Sequence, residues 1–255
     1  MTIPEVLFRE VGKSFAASET PVLEGIDLAI ERGDFVSIIG PSGCGKSTLL
    51  KMVAGLTACT TGEVCVNGMT PKNAREMVSF VFQEPTLLPW RTVEKNVSLA
   101  LDLERRTTRE ARAATVAKLL ELVGLTHVAK HYPRQLSGGM KMRTSIARAL
   151  AMRPRLLLMD EPFAALDEMS RDRMNEELLR LREEQNWTVL FVTHSVAEAV
   201  FLASKVIVLA PHPGRVAHVI DVAMPYPRTA ATRESDKFDE IVSRTSRLLR
   251  EAHRL

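Results

Sequence analysis

Disulfides and zinc clusters have little to work with in this chain. Its 255 residues include three cysteines, Cys44, Cys59 and Cys65. An odd number without metal-ligand spacing excludes a disulfide framework and a structural zinc, and reads as reduced thiols in the cytosol. No apolar run reaches the ~18 residues of a membrane-spanning helix. The opening Met1-Thr2-Ile3-Pro4-Glu5 has no basic stretch leading into an apolar one, so no signal peptide is expected. Nor is one charge in excess. Lys and Arg number 34 against 31 Asp and Glu, leaving +3. That field is too weak for a dedicated nucleic-acid or membrane-surface binder, and no nucleic-acid partner is expected. Internal repeats, low-complexity tracts and sustained heptads are missing too. What remains is ordinary globular material, 45% hydrophobic and 25% charged. A chain of this length buries roughly 70–75% of its unfolded surface without a staple.

Hydrophobic patterning predicts an α/β fold. Val6-Leu7-Phe8, then Ile26, Leu28 and Ile30, alternate as strands of an antiparallel part. Phe35–Ile39 is a short β-branched run fit for a buried strand. A helix follows from about Gly45, with Leu49, Leu50 and Val53 on one face and Gly55 past its end. Val64 and Val66, then Val78–Phe82, read as further strands. From about 92 to 153 three helical patterns take over, at Val93–Leu103, Arg109–Val123 and Ser137–Met152. Leu156–Met159, Thr188–Val192 and Val206–Leu209 return to buried strands, separated by helices over Ser170–Gln185 and Val196–Leu202. This alternation predicts a mostly parallel sheet with right-handed crossovers. One domain is expected: a core over 5–91 and 154–222, a helical insertion over 92–153, and a tail over 223–255. In the tail, Phe238, Ile241, Val242, Leu248 and Leu249 recur at helical spacing, as in a helix packed on the sheet.

Chemistry enters at Gly40-Pro41-Ser42-Gly43-Cys44-Gly45-Lys46-Ser47, which fits G-x-x-x-x-G-K-[ST] between a buried strand and a helix. Glycines let the backbone curl and aim N–H groups inward, and the helix start adds its positive end. Lys46 supplies a mobile cation for β- and γ-phosphates, and the Ser47 hydroxyl a ligand for Mg2+. Cys44 reads as a small filler, although a helix start can lower a thiol pKa. Asp160-Glu161 end an apolar strand, where parallel sheets bind ligands. Asp160 can orient Mg2+ waters, and Glu161 can take a proton from an attacking water. His194 ends a second such strand, placed for the γ-phosphate or the attacking water. Gln83 follows Val78–Phe82; its amide oxygen can reach Mg2+ or position water. Leu136-Ser137-Gly138-Gly139-Met140 opens a helix with Ser137 as N-cap and two glycines, a second anion site whose anion the residues alone do not identify.

With these segments in order, the chain resembles the ATP-binding-cassette ATPases over residues 5 to about 222. The resemblance implies a P-loop NTPase core that binds ATP with Mg2+ and hydrolyses it. It extends the phosphate loop to Gly40–Thr48, makes Gln83 the Q-loop glutamine, and makes His194 the switch histidine. Ala165-Leu166-Asp167 is similar to the D-loop, and Phe15 stands where an aromatic ring stacks on adenine. Ser137, Gly138, Gly139 and Met140 form the signature, which in a head-to-tail dimer closes on ATP held by the other chain. Met140 and Met142 stand where relatives commonly carry Gln, and Phe15 where Tyr is commoner. Ser137 and backbone N–H groups still supply the main phosphate contacts.

The segment Pro85-Thr86-Leu87-Leu88-Pro89-Trp90 reads two ways. Leu87, Leu88 and Trp90 suit a docking surface, which the resemblance implies would receive a separate membrane permease, or they pack inside the helical insertion. Leu-Leu-Pro-Trp, Met140 and Pro211-His212-Pro213-Gly214-Arg215-Val216 together resemble the nitrate, sulfonate, taurine and bicarbonate importers, a group that includes importers of pyrimidine-type precursors. That resemblance implies a homodimer or mixed pair of ATPase subunits on the cytoplasmic face of the membrane, served indirectly by a solute-binding protein. A soluble ATPase of the same fold, an exporter subunit and a P-loop kinase are the alternatives.

Overall fold

The structure is a computed structural model that describes residues 3–15, 20–103, 108–185 and 187–254. In chain order its strands are β1 (Val6–Lys13), β2 (Leu23–Ile30), β3 (Phe35–Ile39), β4 (Thr61–Val66), β5 (Val78–Val81), β6 (Leu156–Asp160), β7 (Thr188–Val192), β8 (Lys205–Ala210) and β9 (Arg215–Asp221). The helices are α1 (Lys46–Val53), α2 (Val93–Val97), α3 (Leu99–Leu103), α4 (Arg109–Leu122), α5 (Gly138–Leu150), α6 (Glu168–Gln185), α7 (Val196–Leu202), α8 (Ala230–Arg233) and α9 (Asp236–Ala252).

Two sheets form. A six-stranded sheet has the order β5-β6-β7-β3-β8-β9, and a three-stranded one the order β2-β1-β4. The larger is parallel from β5 to β8. Its last strand, β9, runs antiparallel to β8. The smaller is antiparallel, with Val6 facing Ile30 on one side and Val66 on the other.

Strands β3, β6 and β7 are buried along their whole length. Their unbroken apolar runs follow from being covered on both faces. The period of two then sorts side chains between two cores. Phe35, Ile39, Leu157, Met159, Val189 and Phe191 pack with α5, α6, α7 and α9. Val36, Ile38, Leu156, Leu158, Leu190 and Val192 face the opposite way, packing with α1 and the antiparallel sheet. A third cluster joins α2, α3, α4 and the Ala147–Ala151 end of α5.

The sequence predicts one helix over Val93–Leu103, but the chain divides at Ser98, the C-cap of α2. The Ser98 hydroxyl donates to Lys95 O at 3.4 Å and to Asp102 at 3.2 Å. Serine competes in this way with the backbone ladder. Helix α6 starts at Glu168, two residues before the expected start, because Asp167 accepts the Ser170 N–H at 2.9 Å.

The tail is anchored by a buried arginine. The Arg228 guanidinium donates to the carbonyls of Val200, Phe201 and Ala203 at 2.9 Å, and to that of Met224 at 3.0 Å. It also stacks 4.1 Å from the Tyr226 ring centroid, and the Tyr226 hydroxyl donates to Leu202 O. Carbonyls at the end of α7 that would otherwise lack partners are thereby satisfied. Arg228→Ala is expected to lower the unfolding free energy by roughly 2–4 kcal/mol, since it orphans several buried acceptors. Denaturant titration measures this, and a loss below about 0.5 kcal/mol would contradict the anchoring role.

Candidate active site

The phosphate loop links the end of β3 to the start of α1, leaving the sheet at its carboxyl edge. Gly45 takes a φ of 95°, and a Cβ there would lie 2.5 Å from Leu23 Cδ2. Both the backbone conformation and the space require glycine. Lys46 is buried, and its ammonium rests on the loop itself, donating to Gly40 O at 2.8 Å and Pro41 O at 2.7 Å. The cation is thus held where the loop's concave N–H groups would meet an anion. Cys44 is buried, and burial pushes its thiol pKa up despite Lys46 nearby. This corrects the possibility that the helix start lowers it: desolvation outweighs the nearby positive charge.

Across the sheet, β6 brings up two carboxylates. Ser47 Oγ donates to Asp160 Oδ1 at 2.9 Å. Glu161 follows with a φ of 46°, a left-handed conformation that costs a non-glycine residue on the order of 1 kcal/mol or more. Its N–H donates to Val192 O at 2.9 Å, tying it to the end of β7. Two groups converge on Glu161 Oε2: the Gln83 amide nitrogen at 3.4 Å and His194 Nδ1 at 3.4 Å. Lys46, Ser47, Asp160, Glu161, Gln83 and His194 therefore share one edge of the parallel sheet. Ser47 and Asp160 offer hard oxygen donors suited to Mg2+. Among the described residues no group of three or more His, Cys, Asp or Glu is placed to hold a metal ion.

The remaining candidates lie around this centre. Phe15 is 44% exposed, with Lys13 Nζ 4.8 Å from its ring centroid. Ser137 caps α5, its hydroxyl accepting the Met140 N–H at 3.3 Å. Asp167 caps α6, and the Ser170 N–H and hydroxyl hold its carboxyl below the usual range. The docking candidates separate: Leu87 packs on the helical cluster and Leu88 is half-buried, whereas Trp90 is 71% exposed.

Several contacts had no local sign in the sequence. A Cβ on Gly214 would lie 2.0 Å from Cys44 O, so the β8–β9 turn backs directly onto the phosphate loop. Arg148 of α5 donates to Thr86 O at 2.6 Å, hooking that helix to the segment after Gln83. Buried Thr193 and Glu198 flank the His194 turn. Ser195-Val196-Ala197-Glu198 has the S-x-x-E spacing of a capping box, a signal that was there to be read.

Comparison with known proteins places these residues in context. The family profile described as "ABC transporter" matches residues 23–164. The aliphatic sulfonates import ATP-binding protein SsuB of Bacillus cereus is 41% identical over 238 residues, covering 92% of both chains. The bicarbonate transport ATP-binding protein CmpC of Synechococcus elongatus is 46% identical over 230 residues, covering 88% of this chain and 34% of that one. A dimeric post-hydrolysis structure of the ATP-binding cassette MJ0796 with ADP and Pi superposes with a TM-score of 0.79. It is 33% identical and covers 86% of this chain and all of the other.

Burial is the main influence on Asp160 and raises its pKa; the Ser47 hydrogen bond and Lys51 and Lys46 oppose this, while Glu161 adds to it. A carboxyl raised in the folded state favours folding while protonated, below its ordinary value of 3.8. That contribution is lost as pH rises through the folded value. Asp160→Asn keeps an acceptor for Ser47 and removes the buried charge. The variant without nucleotide is expected to melt above the parent at pH 7, by a margin that shrinks toward pH 4. Thermal unfolding across that range checks it; a lower melting temperature at pH 7 would contradict the sign.

Proposed function

The chain belongs to the ABC transporter family as its ATP-hydrolysing cassette, and we propose that it powers an importer of a small solute through separate membrane permease subunits. The solute falls in the class of nitrate, sulfonate, taurine, bicarbonate or a pyrimidine-type precursor. Relatedness along nearly the whole chain to a sulfonate-import ATP-binding protein carries this reading, and relatedness to a bicarbonate-transport protein agrees with it. No helix among the described residues is long and apolar enough to cross a membrane. On this reading the chain works at the cytoplasmic face on partners that do cross, with a solute-binding protein delivering the solute.

Residues 5–91 and 154–222 act as the nucleotide core, 92–153 as a helical subdomain and 223–255 as the tail. ATP lies along the edge built by β3, β6 and β7. Phe15 stacks on the adenine, and Gly40–Thr48 wrap the phosphates through backbone N–H groups and the α1 start. Lys46 exchanges its hold on Gly40 and Pro41 carbonyls for phosphate oxygens. Ser47 and Gln83 would hold Mg2+, with Asp160 acting through water, and a bound ion would supply neutralising charge to the phosphates. Glu161 takes a proton from water as its oxygen bonds to the γ-phosphorus and the bond to the β-phosphate oxygen breaks, releasing ADP and phosphate. Gln83 and His194, already convergent on Glu161 Oε2, orient that water and the γ-phosphate.

A second cassette completes the site. Ser137, Gly138, Gly139 and Met140 of one subunit present a capped helix start to the γ-phosphate on the other, and Asp167 lines the same interface. The dimeric form of the MJ0796 cassette supports this arrangement. ATP then joins two subunits and hydrolysis parts them, a switch driven by ligand. Trp90, exposed beside half-buried Leu88 and Leu87, anchors the permease.

Glu161→Gln is expected to retain ATP, lose about 10²-fold or more in turnover and accumulate as a dimer, as removal of a general base implies. Normal turnover would remove Glu161 from that role. Trp90→Ala is expected to weaken co-purification with the permease at least severalfold while isolated ATPase stays within about twofold, the mark of an exposed interface anchor. Collapse of the isolated activity would place Trp90 in the fold instead. The importer reading itself is tested by deleting the gene and measuring uptake of labelled nitrate, taurine, alkanesulfonate, bicarbonate and a pyrimidine precursor. Loss of one uptake is expected, and unchanged uptake of all five would defeat it.

A further inference from the structure

The His194 side chain is 62% exposed, and its ion-pair contact is the 3.4 Å approach to Glu161. Its aim therefore depends on the backbone that carries it. That backbone is held in a closed ring of hydrogen bonds. The Ser195 N–H donates to Thr193 Oγ1 at 3.0 Å. The Thr193 hydroxyl donates to Glu198 Oε2. The Glu198 N–H returns to Ser195 Oγ at 3.3 Å. Thr193 N–H also donates to Ile38 O at 3.3 Å, on the strand that leads into the phosphate loop.

In an ordinary capping box the glutamate at the third helical position accepts the N-cap N–H directly. Here the hydroxyl of Thr193 is inserted between Ser195 N–H and Glu198, so the carboxylate holds Thr193 directly and Ser195 only through that hydroxyl. A cap alone does not require burial, since a solvated glutamate caps equally well. Glu198 is 6% exposed and Thr193 2%. Burying a carboxylate is costly. Glu198 Oε1 makes no hydrogen bond, and burial raises the pKa of the group. Arg171 of α6, His194, and Arg233 at the end of α8 lie near it and favour its charge.

We propose that Glu198 is a positioning residue that sets His194 through the hydroxyl of Thr193. The inference rests on the reading of His194 as a group that contacts the γ-phosphate or the attacking water.

The test is steady-state ATPase of the purified chain in Thr193→Val, Thr193→Ser, Glu198→Gln and His194→Ala, with imidazole NMR in which the His194 signal is identified by its loss in His194→Ala. Valine matches threonine in shape and removes the hydroxyl. Thr193→Val is expected to lower kcat about tenfold or more with KM for ATP within about twofold, since displacing a catalytic group by ~1 Å costs up to ~10²-fold. Its His194 resonance is expected to shift. Thr193→Ser keeps the hydroxyl, Glu198→Gln keeps an acceptor, and both are expected to retain most of the turnover. The proposal is overturned if Thr193→Val keeps normal kcat while His194→Ala is inactive, or if kcat falls and the His194 resonance does not move. An active His194→Ala would instead defeat the parent reading, and this inference with it.

Discussion

The hydrogen bond from Ser47 to Asp160 joins two half-sites that the chain supplies 113 residues apart. Ser47 belongs to the loop and helix that would cradle phosphate; Asp160 ends the strand that leads into Glu161. β6 and β3 are not neighbours, because β7 lies between them. The contact forms because parallel strands in register end together, so that loops leaving their carboxyl ends meet over the sheet edge. Glu161, Gln83 and His194 gather beside it for the same reason: β6, β5 and β7 end at that edge as well. If β6 slipped by one residue, Asp160 would turn to the opposite face and the bond would be lost.

Rigidity behind the loop comes from a second contact set, outside the phosphate motif. Leu23, at the start of β2, packs against the places where Cβ atoms on Gly45 and Gly214 would stand. Val22 O accepts from Gly214 N–H, and Gly214 O accepts from Glu24 N–H. The antiparallel sheet, the β8–β9 turn and the phosphate loop are therefore one packed unit. Phe15 lies just past β1 on that sheet. A comparable hook, Arg148 on Thr86, joins the helix capped by Ser137 to the segment after Gln83.

Much of the fold was legible because burial on both faces leaves continuous apolar strands. Phe35–Ile39 and Thr188–Val192 match the predicted spans, as does the helix Val196–Leu202. Where the signal depended on neighbours, it was less complete. Val93–Leu103 has the periodicity of one helix, yet the Ser98 hydroxyl divides it. Strand β9 carries weaker apolar patterning, half-exposed at the sheet edge, and its antiparallel direction follows from a tight turn at 211–214. Leu87 and Trp90 are both large apolar side chains in one loop, and composition does not separate the one that packs from the one that faces solvent.

Eight contiguous residues, Gly40 to Ser47, encode their own curvature, their N–H orientation and a helix start, so the sequence by itself determined the phosphate loop and the strands that flank it. Glycine conformations and helix ends are local physics, set within a few bonds. The tertiary structure alone decided that Lys46 rests on two loop carbonyls, that Gly214 supports Cys44 from outside the motif, and that the Cys44 thiol is raised by burial. It also decided that the Thr193 hydroxyl meets the Glu198 carboxylate across the His194 turn, and that this carboxylate is buried. Each depends on segments brought together by the packing of two sheets and the helices on them, and desolvation is a property of that packing.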